Sequence, residues 1–219
     1  HHRQVWLRKI IMEVHLHREI DRLKRNILAL GTEVESSLNK SIRALKTWDI
    51  DLAQEVEDYD NEIDRMEVEI EEEGLKILAL HQPVAIDLRF IVAVLKINND
   101  LERIADLAAN MASRTLYIGN REQIDIPEEL LKIVKLAESM LKRSLDSLIN
   151  LNTDLARQVI IDDDIIDDLH AKMYDYIEAK IKAEPNLVDC QISLLSISRN
   201  LERISDLVTN IAEDVIYMV

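Results

Sequence analysis

The second half of this sequence is a degenerate copy of its first half. A shift of 103 residues places Asp51–Ala53 on Asp154–Ala156, and each of these Asp-Leu-Ala triplets follows a short polar break. Further along the chain the shift is 100 residues, and Leu101–Leu107 matches Leu201–Leu207 at every position but one. Such a repeat indicates two copies of one structural unit, each built on the same pattern of apolar residues.

The apolar residues of both halves recur every three or four positions, which is the period of a helix that buries one face. Glycine and proline together number six, and aromatic residues make up only 4% of the chain, so the composition does not favour strands. We therefore predict an all-α protein made of long amphipathic helices. The first apolar series runs through Ile20, Leu23, Ile27, Leu30, Val34, Leu38, Ile42 and Leu45.

Short polar or proline-containing breaks divide each half into three helical stretches. Because short breaks force consecutive helices to run antiparallel, we expect two tandem, pseudo-symmetric three-helix bundles. The turn-prone segment 120–126 is the expected connector between repeat 1 at 15–119 and repeat 2 at 127–219. Residues 1–14 lie outside both repeats, and we interpret them as an N-terminal extension or a cloning remnant.

The chain carries a formal net charge of −15 and a single cysteine. This charge repels phosphate backbones and anionic lipids, so we expect no nucleic-acid partner. No apolar run reaches the roughly 18 residues that span a bilayer, so direct membrane insertion is not expected either. A lone Cys190 excludes an intrachain disulfide and favours a reducing, cytoplasmic location. Metal ions and basic proteins are the better candidate partners.

Four pairs of acidic residues stand at the spacing i, i+4 in matched positions of the two repeats. At that spacing both carboxylates leave one face of a helix and repel each other. In the first pair of each repeat, neither acid has a lysine or arginine three or four positions away, so relief requires a cation from outside the helix. Oxygen ligands favour Mg²⁺, Mn²⁺, Ca²⁺ or iron. A metal site and a solvated acidic face both fit this spacing. The candidate metal ligands are Asp60, Asp64, Glu102, Asp106, Asp163, Asp167, Glu202 and Asp206.

Three segments carry a resemblance to a known family: 80–89, which reads Leu-His-Gln-Pro-Val-Ala-Ile-Asp-Leu-Arg, together with 95–112 and 195–213. The last two each contain a Glu-x-x-x-Asp motif followed by an asparagine. These features resemble the signature of the PhoU family, and the similarity extends over about 16–219. The resemblance implies two similar three-helix bundles whose eight acids hold multinuclear clusters of divalent or trivalent metal ions, with Fe, Mn, Mg and Zn as candidates.

The resemblance also implies a regulatory role without catalysis. Members of the family damp the phosphate-specific ABC transporter and hold a partner sensor histidine kinase in its inhibitory, phosphate-replete state. Those two proteins are the expected partners, and a homodimer is the expected assembly. No catalytic residue is assigned, because the sequence has no Gly-rich phosphate loop, Ser-His-Asp arrangement or Cys-x-x-Cys motif.

A metalloenzyme remains the alternative hypothesis. His170 lies three residues after Asp167, and this spacing resembles the carboxylate and imidazole ligands of di-iron helical bundles. A di-iron carboxylate oxidase or a ferritin-like protein would use such a site. Against this, the first repeat has Glu67 at the matching position, and the Glu-x-x-His motif of those proteins is absent from the sequence.

Overall fold

The structure, a computed structural model, describes the backbone of residues 2–219 and the side chains of residues 13–219. Six long helices and one short 3-10 turn make up the fold, and this part of the chain contains no strand. The all-α prediction is therefore confirmed. The suggested extension at 1–14 falls largely outside the described side chains. The helices are α1 (His2–Thr47), α2 (Ile50–His81), α3 (Ala85–Gly119), α4 (Glu128–Asn150), α5 (Thr153–Ala183) and α6 (Val188–Met218), with the 3-10 turn at Pro185–Leu187.

Two three-helix bundles pack side by side. Helices α1, α2 and α3 form bundle one, α4, α5 and α6 form bundle two, and the two bundles meet mainly where α3 packs along α6. The position of the boundary between the repeats remains a prediction. No helix in the described part of the chain is long and apolar enough to cross a bilayer. One core runs through all six helices and includes the fully buried Leu23, Ile63, Leu101, Ile133, Ile166 and Leu201.

The first breaks of the two repeats are built alike. Asp49 and Asn152 are the N-caps of α2 and α5, and each side chain accepts a hydrogen bond of 3.0 Å from a backbone amide in the first turn. The residue before each cap has a left-handed backbone, with φ of 52° at Trp48 and 49° at Leu151. Helices α2 and α5 therefore start from equivalent positions. The acids on them lie the same number of residues from the start of their helix.

The second breaks differ, and this accounts for the change of the repeat shift from 103 to 100 residues. Between α2 and α3 the chain passes through 82–84, and the backbone is left-handed at Gln82 (φ 44°) and Ala85 (φ 51°). Between α5 and α6, only Glu184 precedes the 3-10 turn. The corner of bundle one leaves Val84 and Ile86 each 75% exposed.

Candidate metal centres

Each bundle carries its four predicted acids on two adjacent helices. In both bundles the first acid of each pair is half-buried and the second is exposed. The burial pattern of residues 101–112 is repeated residue for residue at 201–212. The structure thus places the acids in two equivalent settings. Acidic cluster one consists of Asp60 and Asp64 on α2 with Glu102 and Asp106 on α3; acidic cluster two consists of Asp163 and Asp167 on α5 with Glu202 and Asp206 on α6.

The carboxylates of acidic cluster one act on one another across the junction of α2 and α3. Burial and the charges of Asp64 and Asp106 raise the pKa of Asp60 to about 6. Burial also raises the pKa of Glu102, and the charges of Asp64, Asp106 and Asp60 raise it further. The acids of each helix therefore raise the pKa of acids on the other. No basic group contributes to either shift, so the repulsion is left without relief among the described side chains.

Acidic cluster two shows the same repulsion, with weak opposition from arginine. Burial and the charges of Glu202, Asp163 and Asp167 raise the pKa of Asp206 to about 6, although Arg203 counteracts them. Burial and the two α5 acids also raise the pKa of Glu202. The Oδ1 atom of Asp163 is buried and has no hydrogen-bond partner within residues 13–219.

Both acidic clusters suit a cation by charge and by donor type. Carboxylate oxygens bind hard and borderline ions, and such an ion would reverse the repulsion that raises these pKa values. As the side chains stand, however, no three His, Cys, Asp or Glu groups of the described residues are close enough to hold one ion.

Glu67 adjoins acidic cluster one, although it belongs to no i, i+4 pair of acids that recurs in the second repeat. It lies three residues after Asp64; burial and neighbouring acids of α2 raise its pKa, and its charge acts on Glu102. Asn98 Nδ2 donates hydrogen bonds to Glu67 O at 2.9 Å and to Glu67 Oε1 at 3.2 Å. The signal in the sequence was the repeat shift of 103 residues, which places Glu67 on His170.

His170 takes the corresponding place in bundle two. Its Nδ1 lies 2.7 Å from Ser198 Oγ, and its ring meets the Tyr174 ring edge-on with the centroids 5.3 Å apart. Burial and the positive charge of Arg199 lower the pKa of His170, while Asp167 opposes them. The imidazole is therefore neutral at pH 7, which is the form that binds metal ions.

Comparisons with known proteins agree with this architecture. Residues 27–115 and 130–215 match the family model of the PhoU domain. A phosphate-specific transport system accessory protein PhoU homolog from Thermotoga maritima is 30% identical, covering 95% of this chain and 90% of its own length. The homolog from Pseudomonas aeruginosa is 34% identical, covering 92% and 84%. The crystal structure of PhoU from P. aeruginosa superposes with a TM-score of 0.90 at 32% identity, covering 92% of this chain and 97% of that one. With sequence and fold in agreement across both repeats, this chain belongs to the PhoU family.

Proposed function

We propose that this chain is a regulatory accessory protein of a phosphate-specific transport system, and that it acts by binding and not by catalysis. The observation that carries the proposal is the match over both repeats to relatives named as accessory proteins of such a system. In this role the chain restrains uptake through the phosphate ABC transporter and holds a partner sensor histidine kinase in its inhibitory state. We propose a cytoplasmic homodimer as the working form; the single buried thiol, Cys190, suits a reducing compartment.

Metal binding by the two acidic clusters is the second part of the proposal. Its support is the burial and mutual repulsion that together raise the pKa of Asp60 in bundle one and of Asp206 in bundle two. Divalent or trivalent ions held there would supply fixed positive charge that can bridge this acidic chain to acidic groups of a partner. The carboxylates would determine the position of the bound ions and of their positive charge. Iron, manganese, magnesium and zinc are the candidates, and four carboxylates per cluster can serve more than one ion.

Helix α2 offers a separate means of partner recognition. It carries twelve acidic residues and only two basic ones, whereas α4 carries four of each. A concentration of one charge sign on one edge speeds association with a basic surface and orients the encounter. The edge formed by α2 is therefore the surface that we expect to approach a basic region of the transporter or the kinase first.

The functional test compares two sets of acid substitutions in cells that lack the native protein. We expect the cluster variant to lose repression of phosphate uptake and of the kinase-dependent response in phosphate-rich medium. The control variant should repress normally, because its acids are exposed and make no ion pair within the described residues. Normal repression by a folded cluster variant, with helicity checked by circular dichroism, would count against the proposal. The cluster variant replaces Glu102, Asp106, Glu202 and Asp206 with Ala; the control replaces Asp21, Glu122, Asp168 and Asp175, none of which lies on α2, with Ala.

Metal analysis tests the second part alone. The protein is purified without chelator, and Fe, Mn, Zn and Mg are measured per chain. We expect at least one bound ion per chain in the wild type and a lower content in the cluster variant. A content below one ion per chain would remove metal binding from the proposal and leave the accessory role standing on family membership.

A di-iron oxidase is the second candidate, and its support is the imidazole of His170 beside Asp167. The matching residue of bundle one is Glu67, so only one of the two bundles offers this pair of ligand types. Chain reconstituted with Fe²⁺ in air distinguishes the candidates. Oxygen consumption that exceeds that of free Fe²⁺ and depends on His170 would favour the enzyme; we expect none.

A further inference from the structure

A groove of about 670 Å³ lies on the seam between the two bundles, where α3 packs along α6 and α2 borders both. We call it the seam groove. Four acids from these three helices line it, and Lys96 is the one basic residue among the described residues that does so. The seam groove is therefore a concave surface of negative charge, and it contains no member of either acidic cluster. Its acids are Glu71, Asp100, Glu213 and Asp214.

The acids of the seam groove are not part of the pattern that the two repeats share. Each acid of acidic cluster one has an identical counterpart in acidic cluster two, but none of the four groove acids has an acidic counterpart in the other half of the chain. Negative charge at this place is thus a property of one end of the seam alone. The counterparts of Glu71, Asp100, Glu213 and Asp214 are Tyr174, Asn200, Ser113 and Arg114.

Asp100 is the groove acid that a solvated surface does not explain. It is only 9% exposed, and its one ion pair within residues 13–219 is long, with Arg103 Nη1 3.9 Å from Asp100 Oδ1. That separation is greater than a hydrogen bond allows. A carboxylate that is taken out of water costs free energy unless a donor or a cation compensates it. Because Asp100 lines the seam groove, a ligand bound there can supply the compensation.

The lysine inside the seam groove compensates these acids only weakly. Lys96 Nζ lies 3.5 Å from Asp214 Oδ1, and the lysine side chain is 60% exposed. Ion pairs that are this exposed to solvent contribute little to stability. A cation from outside the chain can therefore displace Lys96 at small cost and meet an excess of carboxylates.

The chemistry of the seam groove fits an organic cation better than a metal ion. Among residues 13–219, no three His, Cys, Asp or Glu groups are close enough to hold one ion. Acids spread along a groove suit a guanidinium group, whose N–H donors form a planar fork that binds carboxylates. Asn99 and Asn210 add amide oxygens as acceptors, and Val92 and Leu95 offer apolar surface on which the methylene stem of an arginine can pack.

We propose that the seam groove is the docking site for an arginine-bearing segment of a partner protein, with Asp100 and Asp214 as the groups that hold the guanidinium. A groove of about 670 Å³ has room for more than one side chain, which favours a peptide segment over a single small cation. The inference rests on the proposed accessory role, in which the acidic edge formed by α2 first attracts a basic surface. It identifies the place where that surface is then held.

Peptide binding by the full chain tests the inference. The probe is a fluorescent peptide of alternating arginine and alanine, and the same peptide with citrulline in place of arginine is its neutral counterpart. Metal is removed from the chain with a chelator, and anisotropy is measured at constant ionic strength. We expect the chain to bind the arginine peptide and not the citrulline peptide. Absence of binding, or equal binding of both peptides, would overturn the inference.

Three double variants, each lacking two negative charges, show where the peptide binds. The buried-groove variant should bind it about tenfold more weakly, since a desolvated carboxylate contributes strongly to holding a cation. The exposed-groove variant should lose about threefold, because exposed ion pairs contribute less. The control variant should bind like wild type, and equal losses in all three would attribute binding to total charge and overturn the inference. The variants are Asp100→Asn with Asp214→Asn, Glu71→Gln with Glu213→Gln, and, on exposed positions of α5, Asp168→Asn with Asp175→Asn.

Circular dichroism verifies that each variant is folded, and the exposed-groove variant alone decides the matter if the buried-groove variant does not fold. Nuclear magnetic resonance locates the contact independently. The arginine peptide should shift the side-chain amide signals of Asn99 and Asn210 but not that of Asn150 on α4, which lies outside the seam groove. Spermine is the competing ligand. If spermine binds more tightly than the peptide, the groove is a site for a free polyamine and the inference is wrong.

Repression in cells distinguishes the inference from the proposed function. The buried-groove variant keeps all eight acids of the two acidic clusters, so its metal content should equal that of wild type while its repression of phosphate uptake falls. Normal repression by this variant, together with lost repression by the cluster variant, would overturn the inference and leave the proposed function standing. Failure of wild-type chain to repress would overturn the proposed function, and peptide binding would then decide the inference by itself.

Discussion

Bundle one and bundle two share one plan but achieve it with different residues. Their acidic clusters match residue for residue, yet α2 has twelve acids against two basic residues while α5 has eight against four. Gly31 and Gly74 of bundle one correspond to Val134 and Ile177 of bundle two, both buried. The common features are the carboxylates and the helix starts that position them. The differences lie in charge, in packing and at one matched position, where bundle one has Glu67 and bundle two has His170.

Neutralising one acidic cluster at a time tests this comparison most strongly. An ion at 1,000 times its Kd stabilises the folded chain by about 4 kcal/mol, so each variant should lose the part of that effect that its own cluster contributes under the proposed metal binding. The other cluster should keep its part. Thermal unfolding with and without Mn²⁺ or Zn²⁺ measures this. Wild-type responses from both variants would refute the metal sites, and a loss in only one variant would show that the two clusters do not act alike. Each variant carries Asn for Asp and Gln for Glu at the four acids of its cluster.

The next prediction compares side-chain packing at one matched position of the two bundles. Ile177 of α5 is 2% exposed, so Ile177→Ala should cost about 3 kcal/mol of the free energy of unfolding through lost contacts and the cavity left behind. Gly74 is its counterpart, and a Cβ there would lie 2.7 Å from Leu95 Cδ2. Because that methyl can move and Ala favours the helix, Gly74→Ala should change stability by less than about 1 kcal/mol. Urea unfolding compares the two. Similar costs would mean that bundle one is packed as tightly at this position as bundle two.

The sequence was sufficient for the fold because its two strongest signals are independent of long-range contacts. Apolar spacing of three and four residues predicts helices with one buried face, and the repeat predicts that the second trio copies the first. Even the caps at Asp49 and Asn152 follow from local chemistry. The left-handed backbone at Gln82 and Ala85 was not predictable, since neither residue type favours it; packing of α3 determines that corner.

The candidate site was predictable only in part, because spacing determines which side chains share a helix face but not how far apart two helices stand. The i, i+4 pairs identified four carboxylates per bundle. They do not include Glu67, because the matching residue of the second repeat is His170 and not an acid. The equivalence of the two positions is nevertheless visible from the repeat shift. Its bond to Asn98 joins α2 to α3, and no pattern within one helix indicates a contact of that kind.

The pH dependence of metal-free chain provides a finer comparison. The folded-state pKa values of Asp60 and Asp206 are raised from 3.8 to about 6, so the folded chain binds more protons than the unfolded chain between about pH 4 and 6. The stabilising contribution present below pH 4 is therefore lost as the pH rises past 6. His170 acts in the opposite sense, since its pKa is lowered and stability is gained as the unfolded state deprotonates.

We expect Asp60→Asn to reduce the loss of stability between pH 4.5 and 7.5 by roughly 1 kcal/mol, after allowance for screening by solvent. Asp206→Asn should give a similar reduction, and adding His170→Gln should restore part of the loss, because the opposing contribution of the imidazole is then removed. Urea unfolding in chelator at the two pH values measures all three variants. A pH dependence that Asp60→Asn leaves unchanged would show that the repulsion in acidic cluster one is already relieved.

The smallest expected contrast concerns two matched tyrosines. Arg121, just beyond α3, lies 3.5 Å from the Tyr117 ring centroid, whereas Arg89 and Lys96 of α3 lie 5.4 and 5.8 Å from the centroid of Tyr217 on α6. The cation contacts of Tyr217 therefore join the bundles, while the cation contact of Tyr117 is local. Cation–π contacts at exposed sites contribute about 0.5–1 kcal/mol, so Tyr217→Leu should cost about 1 kcal/mol and Tyr117→Leu about half of that. Urea unfolding of both variants tests this order. A larger cost for Tyr117→Leu would indicate that the α3–α6 core alone holds the bundles together. Arg89 and Lys96 would then be free to contact a partner.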